Sequence, residues 1–306
     1  MSIEILAPAG SLDSIYAAVR CGANAVYVGG SRFSARANAT NFTLEELEKA
    51  VGYCHLHNVK IYQAVNTLVF DDELSDFLKA AKLSAELGID AFIVQDVGAA
   101  EMLKQALPDM KLNASTQMSI HTKEGALLAK ESGFSRVVLS RELSLETIKD
   151  IASADIEVET FIHGALCMSV SGQCYMSAMI GSRSADRGLC AQACRLPFSA
   201  IKGQERSDLS LKDLSGIDFI PELEKAGVTS IKIEGRMKRA EYVAAAVSAC
   251  RAKADGKEPD TDTLEAVFSR SGFTDGYLTG KLGAEMFGTR RKEDVVAAKD
   301  VLPRLA

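Results

Sequence analysis

CGANAVYVGG, residues 21–30, is the phrase that decides the fold. Its glycine is placed to end one helix, and a few residues on an apolar run begins that reads as a strand buried on both faces. The same order returns in HNVKIYQAVN (57–66), LGIDAFIVQD (87–96), SGFSRVVLSR (132–141) and AGVTSIKIEG (226–235), with an Asn in place of the Gly in the first of these. Upstream, the apolar residues 3–7 (IEILA) run into Pro8-Ala9-Gly10, and Ser11 then stands where a helix N-cap belongs, ahead of Leu12, Ile15, Ala18 and Val19. KLNAS (111–115) and IEVETFIH (156–163) complete a set of eight strands.

Between them, apolar periodicity predicts helices over 43–56, 72–87, 97–106, 122–132, 144–152, 215–226 and 239–255. Strands that alternate with helices must pair in parallel, because each helix carries the chain back to the same end of the sheet. Eight such units over about 250 residues have the size of a closed (β/α)8 TIM-type barrel. A doubly wound open sheet is the alternative, weakened because no G-x-G-x-x-G turn follows any strand. Residues 1–256 are expected to form the barrel, with a cysteine-rich insertion at 164–208 after strand seven. In 210–227 a short extended piece that could be an extra strand precedes the helix. Residues 257–306 read as a linker (KEPDTD), a short helix near Leu264, a Gly-rich turn at 271–281 and a final helix from about Arg291 to Leu302.

In a barrel of this kind the active face lies at the C-terminal ends of the strands. Those ends are Ala9-Gly10, Gly29-Gly30 with Arg32 and Arg36 beyond, Asn66, Gln95-Asp96, Ser115-Thr116-Gln117, Arg141-Glu142, His163 and Glu234-Arg236. Strand seven runs directly into HGALCMSVSGQCYMSAMIGSRSADRGLCAQACR (163–195). Four of the seven cysteines, Cys167, Cys174, Cys190 and Cys194, fall there with the spacing C-x6-C-x15-C-x3-C, among Ser and Gly that suit neither a long helix nor strands. The loop should therefore fold over the barrel mouth and around something. A disulfide framework suits short secreted chains rather than this one. Zinc prefers two close C-x2-4-C pairs, of which only Cys190 and Cys194 qualify. A four-iron cluster takes one thiolate per iron from more widely spread positions and fits the spacing better, with zinc and unliganded thiols left open.

The run Glu159, Phe161, His163 to Cys167, then Ser171 to Cys174 and Ser177, resembles the signature of peptidase family U32, and RSADRGLCAQACRLPF (183–198) is similar to that family's second cysteine block. LAPAGS (6–11), YVGGSRFSARANATNF (27–42), STQMSIH (115–121) and IKIEGRMK (231–238) extend the resemblance over residues 3 to about 292. It implies either a collagenase-like peptidase or a protein that hydroxylates RNA or quinones without oxygen, carrying a [4Fe–4S] cluster on four cysteines. For the RNA-hydroxylating relatives it implies prephenate, a dicarboxylate, as required co-substrate in place of oxygen.

On this reading the candidate metal ligands are Cys167, Cys174, Cys190 and Cys194, the candidate catalytic residues His163, Arg141, Glu142 and Glu234, and the candidate substrate-binding residues Arg36, Asn66, Gln117 and Arg236. Arg36, Arg141 and Arg236 offer bidentate forks for an acidic small molecule. The bland alternative is that the charges at the mouth pair with one another. His163, four residues before Cys167, invites a Cys-His nucleophile, although a thiol protease needs one activated cysteine rather than four. HExxH and GxSxG are both absent from the sequence. His55 and His57 read as exposed residues near a helix end.

Net charge is 35 − 41 = −6, which argues against a nucleic-acid coat protein. A local surplus still surrounds the cysteine loop, where Arg183, Arg187, Arg195, Lys202 and Arg206 face only Asp186 and Glu205, and Arg236, Lys238, Arg239, Arg290, Arg291 and Lys292 could extend it. That is enough for a few phosphate contacts with tRNA or rRNA. With no long apolar run and no apolar leader after Met1, no membrane span is expected, and the reducing cytoplasm is the expected compartment. Three functions follow: an RNA hydroxylase, a peptidase, or a cluster-bearing scaffold or sensor working with a related subunit.

Overall fold

A computed structural model describes residues 2–35, 41–198, 201–202 and 207–305. The strands are β1 (Glu4–Pro8), β2 (Ala25–Gly29), β3 (Lys60–Val65), β4 (Ala91–Val94), β5 (Lys111–Ala114), β6 (Arg136–Val138), β7 (Glu157–Ala165), β8 (Asp213–Ser215), β9 (Ser230–Ile233) and β10 (Phe273–Thr274). Strands β1 to β7 pair in parallel in chain order, and β9 pairs in parallel with both β7 and β1. The sheet closes on itself as an eight-stranded parallel barrel, and the open-sheet alternative falls.

The punctuation of the sequence explains the repeat. Gly22, Gly88, Gly133 and Gly227 end their helices with φ of 92°, 98°, 87° and 94°, and Asn58 does so at 55°. This left-handed turn costs a glycine nothing sterically and an asparagine little. At the other ends Ser11, Thr43, Asp96, Thr122 and Ser144 accept backbone N–H bonds as N-caps. Helix Leu12–Arg20 follows its predicted N-cap, and Leu44–Leu56, Leu74–Glu86, Val97–Ala106, Lys123–Glu131, Leu145–Ala152 and Ala240–Ala254 start and stop within two residues of their predicted bounds, whereas Ile220–Lys225 begins later than the predicted 215, after a short 3-10 turn at Ile217–Phe219.

The apolar core divides in two. Most of it lies between the barrel wall and the helices, and a smaller group inside the barrel consists of Leu6, Ala25, Tyr27, Tyr62, Ala91 and Ile93. The interior also holds charge. Glu159, fully buried on β7, accepts from Lys232 of β9 at 2.8 Å and from Arg136 of β6 at 3.0 Å. Arg136 also donates to Glu4 and Glu157. Burial raises the Glu159 carboxyl, but Lys232 and Arg136 outweigh it and hold the group ionised. This network seals the base of the barrel, so the mouth at the other end is the open face.

Two strands lie outside the barrel. The end of β7 continues past the wall and pairs antiparallel with β8, the extended piece anticipated near residue 213, and β10 adds to β8 in parallel. The chain after residue 256 forms helices Thr261–Val267, Gly276–Thr279 and Lys292–Leu305. Leu264, Val267, Leu278 and Met286 join the same core as the outer face of the barrel. Among the described residues no helix is long and apolar enough to cross a membrane.

Candidate functional site at the barrel mouth

The cysteine loop crosses the C-terminal face of the barrel and is pinned at several strand ends. Gly172 packs against the Gln117 backbone just beyond β5, where a Cβ would stand 2.2 Å from the Gln117 carbonyl oxygen; its φ of 80° independently demands glycine. Ser171 Oγ donates to Glu142 Oε1 at 2.9 Å and accepts from the Arg141 N–H at 3.3 Å, beyond β6. Its carbonyl accepts from Ser119 Oγ. Farther along, Arg187 forks onto Glu73 at 2.6 and 2.7 Å, donates to the Leu68 carbonyl at 2.7 Å and lies over the Phe70 ring, fastening the loop beyond β3. The Arg187 guanidinium holds the Glu73 carboxyl down at about 2. Arg195 returns the loop to the body, donating to Leu166 O, Ser210 Oγ and Leu211 O.

Within the loop Cys194 is acted on by the other three cysteines. Burial raises the Cys194 thiol, Arg195 opposes this, and the sulfurs of Cys167, Cys190 and Cys174 each push it up further, so all three lie within electrostatic reach of it. Two donors face the sulfurs: Arg141 Nη1 stands 3.9 Å from Cys167 Sγ, and the Gln192 N–H 3.4 Å from Cys190 Sγ. Cys54 and Cys250 are different, being sealed in the core with thiols pushed up to about 12 by burial. All seven cysteines are free. A single tetrahedral zinc would need sulfurs about 4 Å apart, since Zn–S is roughly 2.3 Å. Among the described residues no three His, Cys, Asp or Glu side chains are drawn together for a single ion. The N–H donors beside Cys167 and Cys190 are of the kind that stabilise thiolates holding a metal or a cluster.

Arg141, 8 % exposed at its side chain, reaches Glu234 at the end of β9 at 3.0 Å and the Ala165 carbonyl at 3.0 Å, with its guanidinium 4.1 Å from the Phe161 ring centroid. The bland pairing of mouth charges therefore holds for Arg141 and Glu234, and Arg141 also touches the cysteine loop. Asn66 is a hub: it accepts from the Ala35 N–H and donates to Gln117 Oε1 at 2.8 Å and Ser115 Oγ at 3.3 Å. Arg236, buried, donates to Ser34 Oγ at 2.8 Å. Gly29 is what admits it, because a Cβ there would lie 2.1 Å from Arg236 Nη1. Arg36 lies outside the described residues. A cavity of about 190 Å3 opens beside Ser34, between Gly30, Arg32, Phe33, Thr67 and Arg187. Phe33 holds φ at 61°, a strained value for an aromatic residue and one that clusters at functional sites.

His163 does not face the mouth. Phe161 points inward, beneath Arg141 and Lys232, and plain alternation would turn His163 inward too. A register shift between Phe161 and His163 turns the imidazole outward instead, 5.0 Å from the Phe273 ring and 5.9 Å from that of Tyr242. Both ring nitrogens are buried without a hydrogen-bond partner among the described residues, so the Cys167–His163 hydrogen bond of a dyad is not formed. Burial, then the charge of Lys238, pushes the imidazole down to about 3. Sequence reasoning missed Glu159, Lys232, Arg136, Glu73 and Ser119; the visible signal was a charge inside an apolar strand for Glu159 and Lys232 and at the head of one for Arg136.

Fold and site together define a TIM-type barrel whose open rim is roofed by a four-cysteine loop. The chain belongs to peptidase family U32, whose pattern matches residues 10–288. It is 42% identical over 248 residues to the 23S rRNA 5-hydroxycytidine C2501 synthase of Escherichia coli, covering 79% of this chain and 37% of that protein. It is 37% identical over 277 residues to the tRNA hydroxylation protein P1 of Bacillus subtilis, covering 85% and 65%. A collagenase of Porphyromonas gingivalis is 34% identical over 312 residues, covering 91% and 74%. The chain thus spans less than two thirds of the length of the first two relatives. The solved structure of the U32 peptidase Mk0906 superposes with a TM-score of 0.53 at 14% identity, covering 78% of this chain and 95% of that one, which speaks to the fold alone.

Proposed function

We propose that this chain is the barrel of an oxygen-independent RNA hydroxylase that modifies a base in tRNA or rRNA, with Cys167, Cys174, Cys190 and Cys194 holding a [4Fe–4S] cluster over the mouth. The observation that carries the proposal is that one loop bearing four free cysteines lies across the open end of the barrel, with Cys167 3.9 Å from Arg141 on the rim. Two relatives named for RNA hydroxylation support the substrate class. When bound, the cluster supplies one-electron redox chemistry. The chain's own groups do the rest: Arg141 and the Gln192 N–H stabilise negative sulfur, and Arg141 ties the loop to Glu234 and hence to the rim. For an acidic small molecule, prephenate on the resemblance, the candidate place is the cavity beside Ser34, lined by Arg32, Arg187 and Glu73, where Arg32 and Arg187 are paired with Asp76 and Glu73 and would have to share their N–H groups. Free thiols suit the reducing cytoplasm.

The peptidase alternative has a relative in its favour, the collagenase, but a thiol mechanism would lack its base, because His163 is turned away. Iron and sulfide analysis of anaerobically purified protein, with mass spectrometry of RNA nucleosides from a deletion strain, tests the proposal. About four irons and four sulfides per chain and the loss of one hydroxylated nucleoside are expected. One zinc per chain, or an unchanged nucleoside set, sinks it.

A further inference from the structure

Beside the cysteine loop, three cations converge on one aromatic ring with little to neutralise them. Lys238 Nζ stands 2.7 Å from the Phe268 ring centroid, Arg290 Cζ 4.4 Å and Arg270 Cζ 5.1 Å. They come from three places far apart in sequence: the turn after β9, the segment before β10 and the segment before the last helix. The carboxylate bonded among them is Asp213, which accepts from Arg270 at 2.5 Å and whose other oxygen is buried without a hydrogen-bond partner among the described residues. Neither Lys238 nor Arg290 has a side-chain hydrogen bond or ion pair among the described residues; both rest on aromatic faces. The other carboxylate whose charge reaches Lys238 is Glu234, which is bonded to Arg141. Arg195 adds a fourth cation within electrostatic reach of Arg270, and its donors go to carbonyl and hydroxyl oxygens rather than to a carboxylate.

A π face holds a cation without cancelling its charge and leaves N–H groups at its edge free to donate. The surplus shows in the neighbours. Burial pushes the Lys238 ammonium down to about 7, with Arg270 and Arg290 adding to it and Asp213 and Glu234 opposing it. Repulsion among like charges held by the fold is relieved when an anion settles between them. Arg290 is exposed, Lys238 is partly buried and the Arg270 side chain is 12 % exposed, so solvent reaches the group from the Arg290 side. It is also near the site: Asp213, which holds Arg270, sits on β8 opposite Ala165, the end of β7 from which the cysteine loop leaves.

We propose that Lys238, Arg270 and Arg290, gathered round Phe268, form a phosphate seat that holds a backbone phosphodiester of the RNA beside the cysteine-roofed mouth. The guanidinium forks match two phosphate oxygens at once and the ammonium supplies a point charge. The identity of the phosphate as RNA rests on the function proposed above; the phosphate chemistry does not.

Two measurements test this on the whole chain. The first is the salt dependence of binding to a fluorescent single-stranded RNA, for the parent, Arg290→Gln, Lys238→Gln and a control, Lys111→Gln, at the opposite end of the barrel. Each lost phosphate contact on a single strand lowers the slope of log K against log salt by about 0.7. A drop of that size for Arg290→Gln, with about tenfold weaker binding at low salt and no change for the control, supports the seat. Parental slope and affinity in both seat variants overturn it. The second is the melting temperature in inorganic phosphate against chloride at equal ionic strength. If the parent binds no RNA yet is stabilised by phosphate and Arg290→Gln is not, the seat stands and the RNA reading falls. If the parent neither binds RNA nor responds to phosphate, the seat falls.

Discussion

Arg141 Nη2 lies 3.0 Å from Glu234 Oε2, so one guanidinium joins the end of the sixth barrel strand to the end of the eighth. The same side chain donates to the Ala165 carbonyl and approaches Cys167 Sγ, which makes it the bond between the barrel wall and the base of the cysteine loop. Its planar fork reaches these acceptors at once over the face of Phe161, a geometry an ammonium cannot copy.

Arg141→Ala should therefore cost about 3 kcal/mol, the scale of breaking a buried ion pair by removing one partner. Arg141→Lys should recover only part of it. Urea unfolding of apo-protein checks this without reference to activity; an alanine variant within about 0.5 kcal/mol of the parent would make the contact a surface one.

Gly172→Ala tests whether the roof must sit tightly on the rim. The new methyl would meet the Gln117 carbonyl at 2.2 Å and strain a φ of 80°. We expect stability to fall by about 2 kcal/mol, within the range for strain at a special backbone position, and iron retained after anaerobic reconstitution to drop below half. Parental iron content in this variant would mean that the loop's seat on β5 does not govern the thiols.

The Glu73–Arg187 fork ties the far side of the loop down, and its pH dependence has a definite sign. Glu73 is lowered from 4.5 to about 2 by Arg187, so its contribution is fully present above about 4.5 and is lost as pH falls toward about 2. At neutral pH the fork is intact. Glu73→Gln should therefore speed hydrogen exchange at amides near 183–190 at pH 7, while the parent should show such opening only in acid. Equal exchange in both proteins at pH 7 would assign the loop's order to other contacts.

Much of this was legible in the sequence because it is local. Gly22, Gly88, Gly133 and Gly227 announce helix ends through their own backbone preference, and the apolar runs that follow them can only be buried strands. The cysteine loop over the mouth followed from chain order, since it leaves the C-terminal end of β7. What stayed hidden was non-local. Arg136 and Glu4 meet across 132 residues, and nothing in either strand alone says that its charge points into the barrel rather than to solvent. Glu73 and Arg187 are 114 residues apart and each looks like an ordinary surface charge. His163 was placed at the mouth because it ends a barrel strand, and one register shift turned its ring outward.

That reversal yields the last prediction. The imidazole of His163 is sealed among Tyr242, Phe273 and the barrel wall with both nitrogens unbonded, so its role is to fill space and it is not positioned to move a proton at the mouth. His163→Phe should leave RNA hydroxylation within about twofold of the parent; a loss of a hundredfold or more, the scale of removing a general base, would restore it to the catalytic set. Stability offers an independent check with a sign of its own. The folded group titrates at about 3 against 6.5 when exposed, so the unfolded chain takes up a proton that the native state refuses. Stability is unaffected by His163 above about 6.5 and falls by about 1.4 kcal/mol for each pH unit below it, until the folded value is reached. The decline in melting temperature between pH 6.5 and 5 should be shallower in His163→Phe than in the parent, because the variant has lost the proton the unfolded chain would bind. Parallel curves would mean that the ring reaches water or a partner and is protonated in the native state.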